Sequence, residues 1–246
     1  MWDDARALNA VALMLAGIAF AFLIWGAVAW LVRQPAFAIR DVVITTPLAR
    51  ASGAHLESIV REELAGTFFT LDIERARRTL GGVPWVRGIA LRRQWPHRLE
   101  IAVEEQVPFA RWNESALVNT AGEVFVADWN GDLPQFNGPD GQSQTMAGRY
   151  RAFAAALEPL ALAVRGLTMS PRGGWQIAAA GSGGALTLDL GRDDPTGRLA
   201  RFVAAHERTI GALARAGRWV EQVDLRYRNG FAARVPGFRE KPAKKS

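Results

Sequence analysis

The sequence predicts an α+β protein with one N-terminal transmembrane helix, a small β-α-α-β-β domain and a mainly antiparallel β domain with flanking helices. Three observations support this prediction. Residues 10–32 form an uncharged run in which only Gly17 and Gly26 fall outside the hydrophobic set. Helical and strand-like hydrophobic periods then follow in β-α-α-β-β order over residues 37–105. After residue 105, short alternating segments separated by turn residues prevail, as in antiparallel sheets.

Composition excludes several classes of protein. The chain has 246 residues and no cysteine, which excludes a disulfide-stabilised scaffold, a thiol nucleophile and cysteine-based metal sites. Its mean hydropathy is close to zero because an apolar segment is averaged with a larger part of ordinary composition. Hydrophobic residues make up 49% of the chain, so the chain as a whole is not expected to be disordered.

The net charge of +6 does not by itself indicate a nucleic-acid partner. Arginines and lysines are spread along the chain, and only the tail at residues 239–245 contains a dense group of them. Tryptophans combined with arginines could stack on bases, but Trp85, Trp95 and Trp112 lie in strand and turn patterns that need core anchors. We therefore interpret these tryptophans as packing residues and predict no nucleic-acid partner.

Residues 10–32 are predicted to form a membrane anchor. A helix of this length rises roughly 34 Å, which is enough to cross a hydrocarbon core of ~30 Å. Trp25 and Trp30 lie near one end, where interfacial aromatic residues are common. The alternative is a cleaved signal peptide, since residues 27–29 resemble a cleavage site. The apolar run is, however, longer than the usual ~7–15 residues of such peptides.

Flanking charges leave the orientation of this anchor open. Arg6 lies on the short side, whereas Arg33, Arg40 and Arg50 lie on the long side. Counting these charges would place the large part of the chain in the cytoplasm, but long domains are translocated largely regardless of flanking charge.

The β-α-α-β-β block begins after a linker at residues 33–36. Its two helices follow Ser52 and Asp72, which are typical N-cap residues, and are expected to end at Gly66 and Gly81. In the final strand, apolar residues alternate with charged ones, as in a sheet with one wet face. The predicted elements are strand 37–45, helices 53–66 and 73–81, and strands 85–93 and 98–104.

The second domain is predicted to begin with a hairpin and to end with a strand. Asp194 followed by Pro195 is typical of a helix start, and Pro159 is expected to break an earlier helix near residues 155–157. The predicted elements are a hairpin at 117–125, a turn-rich loop at 133–141, a helix at 146–164, strands at 167–170, 175–180 and 186–190, a helix at 195–213 and a last strand at 223–232.

No combination of residues predicts catalysis, a cofactor or a metal site. His206-Glu207 lacks the second histidine of a zinc-binding helix, and the glycine-rich run 181–184 lacks the lysine of a phosphate loop. Glu100, Glu104 and Glu105 could supply paired carboxylates, but alternation with core residues favours a solvated sheet face. The sequence therefore predicts a protein that is not an enzyme.

Several segments of the chain resemble the FtsQ/DivIB family of bacterial cell-division proteins. Pro84-Trp85-Val86, residues 93–96, residues 99–105 and residues 108–112 resemble its POTRA domain. The later segments 190–192, 198–202 and 223–232 resemble its C-terminal β domain. The resemblance implies a cytoplasmic tail at residues 1–9, a transmembrane helix at 10–32, a linker at 33–36, a POTRA domain at 37–105, a C-terminal β domain at 106–237 and a basic tail at 238–246.

The resemblance also implies a function. Members of this family are single-pass inner-membrane scaffolds at the division septum, with a cytoplasmic N-terminus and a large periplasmic part. They recruit FtsB and FtsL and link early division proteins to septal wall synthesis, and FtsB adds a β-strand to the last strand. The positions implied to contact FtsB are Tyr227, with Asn229 nearby, and Arg172, which could pair with acidic groups of the partner. Other division proteins are expected to contact the POTRA domain and the membrane helix.

Two other functions remain open at this point. Another POTRA-bearing periplasmic protein, such as a chaperone or a secretion accessory, would bind client strands in the same way. A periplasmic wall-acting enzyme is a further alternative, although the catalytic residues are missing. Arg172 and Tyr227 could also be a solvated arginine and a tyrosine that completes the core.

Overall fold

A computed structural model describes residues 5–63 and 67–237 of the chain. It divides into two compact units at the Gln106–Val107 bond, and each unit has its own hydrophobic core. The predicted α+β class is confirmed.

The first unit begins with helix α1 (Ala5–Leu31), which contains the uncharged run. Residues 8–31 are long and apolar enough to cross a membrane, and the most apolar stretch is not buried. Leu13, Phe22 and Trp25 are each more than two-thirds exposed, as expected of side chains that face lipid. A short 3₁₀ turn at Pro35–Phe37 leads into the rest of the unit.

After α1, the first unit packs two helices on a three-stranded sheet of order β1-β3-β2. The parallel pairing of β1 with β3 places Val42 opposite Leu99, and β2 pairs antiparallel with β3. Leu99, Ile101 and Val103 are buried as predicted. The elements are β1 (Asp41–Ile44), α2 (Gly53–Glu63), α3 (Ile73–Gly81), β2 (Val86–Gln94) and β3 (Arg98–Glu105).

Two predictions for the first unit are wrong. The strand predicted at 37–45 is shorter because Ala38 forms only an isolated bridge with Thr67. Trp95 is not a core residue: it is 71% exposed, since it lies in the turn between β2 and β3, beyond the buried face of the sheet. The helix end predicted at Gly66 and the basic tail at 238–246 lie outside the described residues.

The second unit contains a nine-stranded sheet of order β12-β11-β10-β9-β8-β7-β4-β5-β6. Five of its eight neighbouring pairs are antiparallel, so the prediction of a mainly antiparallel sheet is confirmed. The strands are β4 (Pro108–Trp112), β5 (Ala116–Asn119), β6 (Val124–Phe125), β7 (Gln135–Asn137), β8 (Ala163–Met169), β9 (Trp175–Gly181), β10 (Gly184–Gly191), β11 (Gln222–Asp224) and β12 (Ala232–Arg234).

Three helices accompany this sheet: α4 (Ser143–Leu157), α5 (Pro195–His206) and α6 (Ile210–Arg215). Phe153 of α4 and Phe202 of α5 are almost completely buried in the same core as Phe136 and Ile177 of the sheet. Asp194 caps α5 as predicted, because its carboxylate accepts the backbone N–H of Gly197 at 3.0 Å. This cap places the start of α5 directly after β10.

Three further predictions for the second unit need correction. The loop predicted at 133–141 contains β7, which pairs in parallel with both β4 and β8 in the middle of the sheet. The break predicted near residues 155–157 is confirmed, since α4 ends at Leu157, but Val164, which was placed on the same helix, belongs to β8. The helix predicted at 195–213 is divided into α5 and α6. These errors share a cause. The segments have weak local preferences, so pairing and packing with distant parts of the chain determine their secondary structure.

Candidate partner-binding site

Three loops lie at one end of the nine-stranded sheet. They comprise residues 170–174 between β8 and β9, residues 191–194 from the last residue of β10 onward, and residues 225–231 between β11 and β12. Strand direction brings them together, since β9 runs antiparallel to β8 and β10, and β11 runs parallel to β10. We call these three loops the arginine end. The structure therefore brings the predicted Arg172 to the same end as Tyr227 and Asn229.

Gly173 and Gly191 each lie against the side chain of an arginine from a neighbouring segment. A Cβ atom on Gly173 would lie 3.4 Å from the Cγ atom of Arg192. A Cβ atom on Gly191 would lie 3.0 Å from the Cγ atom of Arg226. Both glycines also have positive φ angles, 82° and 69°, which other residues adopt at a cost. The close approach of the loops therefore depends on glycine at residue 191, whereas at residue 173 glycine is favoured by the positive φ of the turn.

Arg172 lies at the tip of a rigid turn. The carbonyl oxygen of Ser170 accepts the N–H of Gly173 at 2.8 Å, and the Ser170 hydroxyl oxygen accepts the N–H of Gly174 at 2.9 Å. These bonds fix the backbone, while the Arg172 side chain is exposed to solvent. Arg172 is therefore placed to meet a partner, and it is not part of the core.

Tyr227 and Asn229 do not lie on a strand, which corrects the prediction of one strand at 223–232. The chain leaves β11 because the Asp224 carboxylate accepts the backbone N–H of Arg226 at 3.0 Å, and a turn of this kind competes with sheet pairing. The Arg226 guanidinium also donates to Asp224 at 2.8 and 2.6 Å. Tyr227 is 58% exposed and Asn229 is exposed as well, so neither side chain completes the core.

The loop that carries Tyr227 and Asn229 is held at both ends. Leu225 is buried, and its N–H donates to the Asp189 carbonyl oxygen at 2.8 Å. The ring of Phe231 packs edge-on against Phe202 of α5, with 6.1 Å between ring centroids. A cavity of about 350 Å³ lies between this loop and α5, and Asn229 is among its lining residues.

Strand β12 forms one edge of the sheet. Within the described part of the chain its sole neighbour is β11, with Val223 opposite Ala233. All three β12 residues are exposed. An edge strand offers unpaired backbone donors and acceptors, to which another strand can add. This edge adjoins the exposed loop 225–231, so one partner could contact both.

The arginine end carries an excess of positive charge. Its three loops hold two aspartates, Asp193 and Asp194, and four arginines: Arg172, Arg192, Arg226 and Arg228. Arg192 lies 3.5 Å from the Asp193 carboxylate, and Arg226 is paired with Asp224. Hydrogen bonds from the Arg226 side chain lower the pKa of Asp224 below its usual range, so this pair stays ionised. The site favours an acidic partner.

Sequence reasoning had given no role to Arg192 and Arg226. They appear only within segments that resemble the family. Their contacts with neighbouring loops depend on tertiary structure and cannot be predicted from local sequence patterns. The available signals are that Arg192 follows Gly191 and that Arg226 lies two residues after Asp224, a spacing typical of an aspartate turn.

The residues considered for catalysis do not converge. Glu104 pairs with Arg87 at 2.5 Å, whereas the Glu105 carboxylate binds backbone N–H groups of residues 49–51. His206 packs edge-on against Phe202, and burial lowers its pKa. Within residues 5–63 and 67–237, no group of three or more histidine and acidic side chains could hold a metal ion. The glycine-rich run 181–184 connects β9 to β10 as a hairpin turn.

Two family models match the chain. The model of the POTRA domain, FtsQ-type, matches residues 37–106. The model of the C-terminal part of the cell division protein FtsQ/DivIB matches residues 110–226. The two matches together cover most of the chain that follows α1, and the second ends at residue 226, just before Tyr227.

Curated relatives named cell division protein FtsQ are similar over almost the full length. The relative from Bordetella pertussis is 36% identical, with 100% of both chains covered. The relative from Nitrosospira multiformis is 36% identical over 95% of this chain and 99% of its own. The relative from Burkholderia pseudomallei is 34% identical over 97% of this chain and 96% of its own.

Proposed function

Because the chain belongs to the FtsQ/DivIB family of cell division proteins, we propose that it is a membrane-anchored scaffold of the division machinery that catalyses no reaction. In this proposal α1 crosses the inner membrane once, with the N-terminus in the cytoplasm. Both folded units then lie in the periplasm, at the division septum. The orientation rests on the resemblance to the family, because the flanking charges leave it open.

The proposed partner site is β12 together with the arginine end. FtsB adds a strand to β12 and brings FtsL with it, while Tyr227 and Asn229 contact FtsB beside that strand. Arg172 pairs with acidic groups of the partner. The observation that carries this proposal is the position of a free sheet edge directly beside exposed basic loops.

Other division proteins are proposed to contact the POTRA domain and α1. With FtsB and FtsL held at the other unit, the chain then links early division proteins to septal wall synthesis. Undivided filaments after depletion of the protein in its host are the expected result. Normal septation would contradict a role in division and favour the alternative of a periplasmic chaperone or secretion accessory.

Two substitutions test the partner site. Tyr227→Ala removes an exposed aromatic contact, and Arg172→Glu reverses an exposed charge. We expect each to weaken binding of immobilised FtsB by about tenfold or more, the loss typical of an interface hot spot. The full chain in detergent is used, and thermal unfolding should stay unchanged because both side chains are exposed.

Arg208→Glu is the matched control for the charge reversal. Arg208 is exposed and lies two residues beyond α5, whose length of about 18 Å separates it from the arginine end. Its variant is expected to bind FtsB normally. Normal binding by both Tyr227→Ala and Arg172→Glu would refute the assigned residues.

Hydrogen exchange of the backbone amides tests strand addition separately. If FtsB pairs with β12, the amides of residues 232–234 should exchange with deuterium more slowly in the complex. Unchanged exchange at β12, with slower exchange only in residues 225–231, would show that FtsB binds the loop without adding a strand.

A further inference from the structure

Two exposed aromatic side chains lie at the end of the first unit from which α1 leaves. Phe69 is 48% exposed and lies in the turn at residues 67–70, between α2 and α3. Trp95 is 71% exposed and lies in the turn between β2 and β3. Single exposed apolar residues are common on protein surfaces. Phe69 and Trp95 differ from such residues because both lie in turns near the end of the apolar helix α1.

The turn at residues 67–70 is bonded directly to the end of the apolar run. The Thr67 hydroxyl donates to the carbonyl oxygen of Val32 at 2.6 Å. The N–H of Phe68 donates to the carbonyl oxygen of Phe37 at 2.7 Å, and Thr67 bridges Ala38. Val32 is the last residue of the uncharged run, so its position marks the edge of the hydrocarbon core in a spanning helix. The turn therefore lies at the depth of the lipid headgroups.

Phe69 forms the outer part of a small aromatic cluster at this depth. Its ring packs edge-on against Phe37, with 5.2 Å between centroids, and against Phe68, with 5.3 Å. These contacts hold the ring in place while half of it stays exposed. A ring held this way loses little conformational freedom when it enters an apolar layer.

The turn that carries Trp95 is tied to the start of β1. The carbonyl oxygen of His97 accepts the N–H of Arg40 at 2.9 Å. Because β1 and β3 are parallel, both begin at the end of the sheet that lies closest to α1. Arg40 lies two positions after Ala38, which is roughly 7 Å of extended chain. This distance is comparable to one headgroup layer, which is about 5–8 Å thick.

Exposed arginines flank the same end. Arg33 follows the apolar run, and Arg40 precedes β1. Arginine binds phosphate in a fork geometry, and basic residues next to a membrane span attract anionic lipid. Tryptophan is also enriched at the membrane interface, where its ring is apolar and its N–H stays hydrated. The chemistry of this end fits a phospholipid surface.

We propose that this end of the first unit, presented by Phe69 and Trp95, lies in the headgroup region of the bilayer, with Arg33 and Arg40 on lipid phosphates. The inference rests on the proposed anchoring by α1 and adds a second contact with the membrane. A helix alone leaves the following domain free to pivot. Contacts at two turns fix the orientation of the first unit on the membrane.

The absence of cysteine makes this inference directly testable. Phe69→Cys and Trp95→Cys are each labelled with an environment-sensitive fluorophore in the full chain. The protein is placed in nanodiscs of phosphatidylethanolamine and phosphatidylglycerol. Quenching by nitroxide carried on the lipid is compared with quenching by aqueous iodide. Both native side chains are exposed, so neither substitution removes a core residue.

Two further labels calibrate the result. Ala49→Cys lies on the exposed loop after β1, at the opposite end of the same unit, and should report water. Ile18→Cys lies in the middle of α1 and should report lipid. We expect labels at residues 69 and 95 to be quenched by lipid nitroxide at least twofold more than the label at residue 49, and to be protected from iodide.

Each outcome of the quenching experiment tests either the proposed lipid contact of this end or the membrane anchor α1. A label at residue 69 or 95 that iodide quenches as strongly as the label at residue 49 overturns the inference, while a lipid-facing label at residue 18 leaves the anchor intact. Labels at 69 and 95 that neither quencher reaches also overturn it, because another protein surface would then cover this end. A label at residue 18 that iodide reaches contradicts the anchor itself.

Discussion

At the residue scale, the Glu105 carboxylate is the clearest case of one side chain that orders a loop. It accepts the backbone N–H groups of Ala49, Arg50 and Ala51 at 3.1, 2.9 and 2.7 Å. Loop 45–51 thereby obtains partners for three donors that no strand satisfies. Sequence reasoning had considered Glu105 only as one of three candidate catalytic carboxylates.

The same contacts make stability depend on pH. Burial alone would raise the pKa of Glu105, but the three N–H groups and the charge of Arg50 outweigh it and hold the pKa below 4.5. Because the pKa is lower in the folded state, the ionised carboxylate stabilises the protein above pH 4.5. That contribution is lost as the pH falls through the lowered value.

Glu105→Gln should reveal this contribution. We expect a loss of about 1 kcal/mol at pH 7, a modest figure because the site is solvent-screened. The difference from the parent should shrink as the pH falls below 4.5, and it should be lost once the pH is below the lowered pKa of Glu105, where the folded parent is also neutral. Urea unfolding in detergent at several pH values measures this. A difference that does not change with pH would mean that the charge contributes nothing.

At the element scale, the β5–β6 hairpin shows how a turn residue and a helix start can depend on each other. The Ser143 hydroxyl, at the first residue of α4, donates to the Gly122 carbonyl oxygen at 2.7 Å. Gly122 has a φ of 87°, and a Cβ atom there would lie 2.6 Å from the Cα atom of Gln144. The hairpin therefore reaches α4 only because residue 122 has no side chain.

Gly122→Ala and Gly141→Ala form a matched pair. Gly141 also has a positive φ, 78°, but a Cβ atom there meets nothing within 4 Å. We expect Gly141→Ala to cost about 1–2 kcal/mol from backbone strain alone. Gly122→Ala should cost a further 1–3 kcal/mol or so, because the backbone of α4 must also move. Equal losses in urea unfolding would show that the close approach to α4 carries no energy.

At the scale of the whole molecule, the two units have separate cores. Leu99 and Ile101 centre one core, whose buried residues, within the described part of the chain, come from positions 51–103. Phe153 and Phe202 centre the other, whose buried residues come from positions 110–225. A core defect in one unit is therefore expected to lower the stability of that unit first.

Leu99→Ala and Phe202→Ala test this division. Leu99 is fully buried, and its truncation should destabilise the first unit by about 2–5 kcal/mol; Phe202→Ala should cost the second unit about 3–5 kcal/mol. Hydrogen exchange resolved by peptide reports each unit separately. Faster exchange spread equally over both units in either variant would show that they unfold as one.

Local rules predicted the elements whose signals lie within a few residues. The caps at Asp72 and Asp194, the alternation in β3 and the hairpin at β5–β6 were all predicted and confirmed. Short segments with weak local signals, such as β7, were missed. Tyr227 and Asn229 were assigned to a strand, because the Asp224–Arg226 turn that ends β11 is not visible in hydrophobic periodicity.

The sequence by itself determined the apolar span, the α+β class, the order of most elements and the family, since these depend on local periodicity, capping and motif. Tertiary structure alone decided that Arg172 and Tyr227 lie at one end of the same sheet, although 54 positions separate them. It also decided that β12 is an edge strand, and that Trp95 is exposed at the end of the unit nearest α1. The physical reason is that strand order and direction are set by pairings between distant segments, whose energies depend on packing.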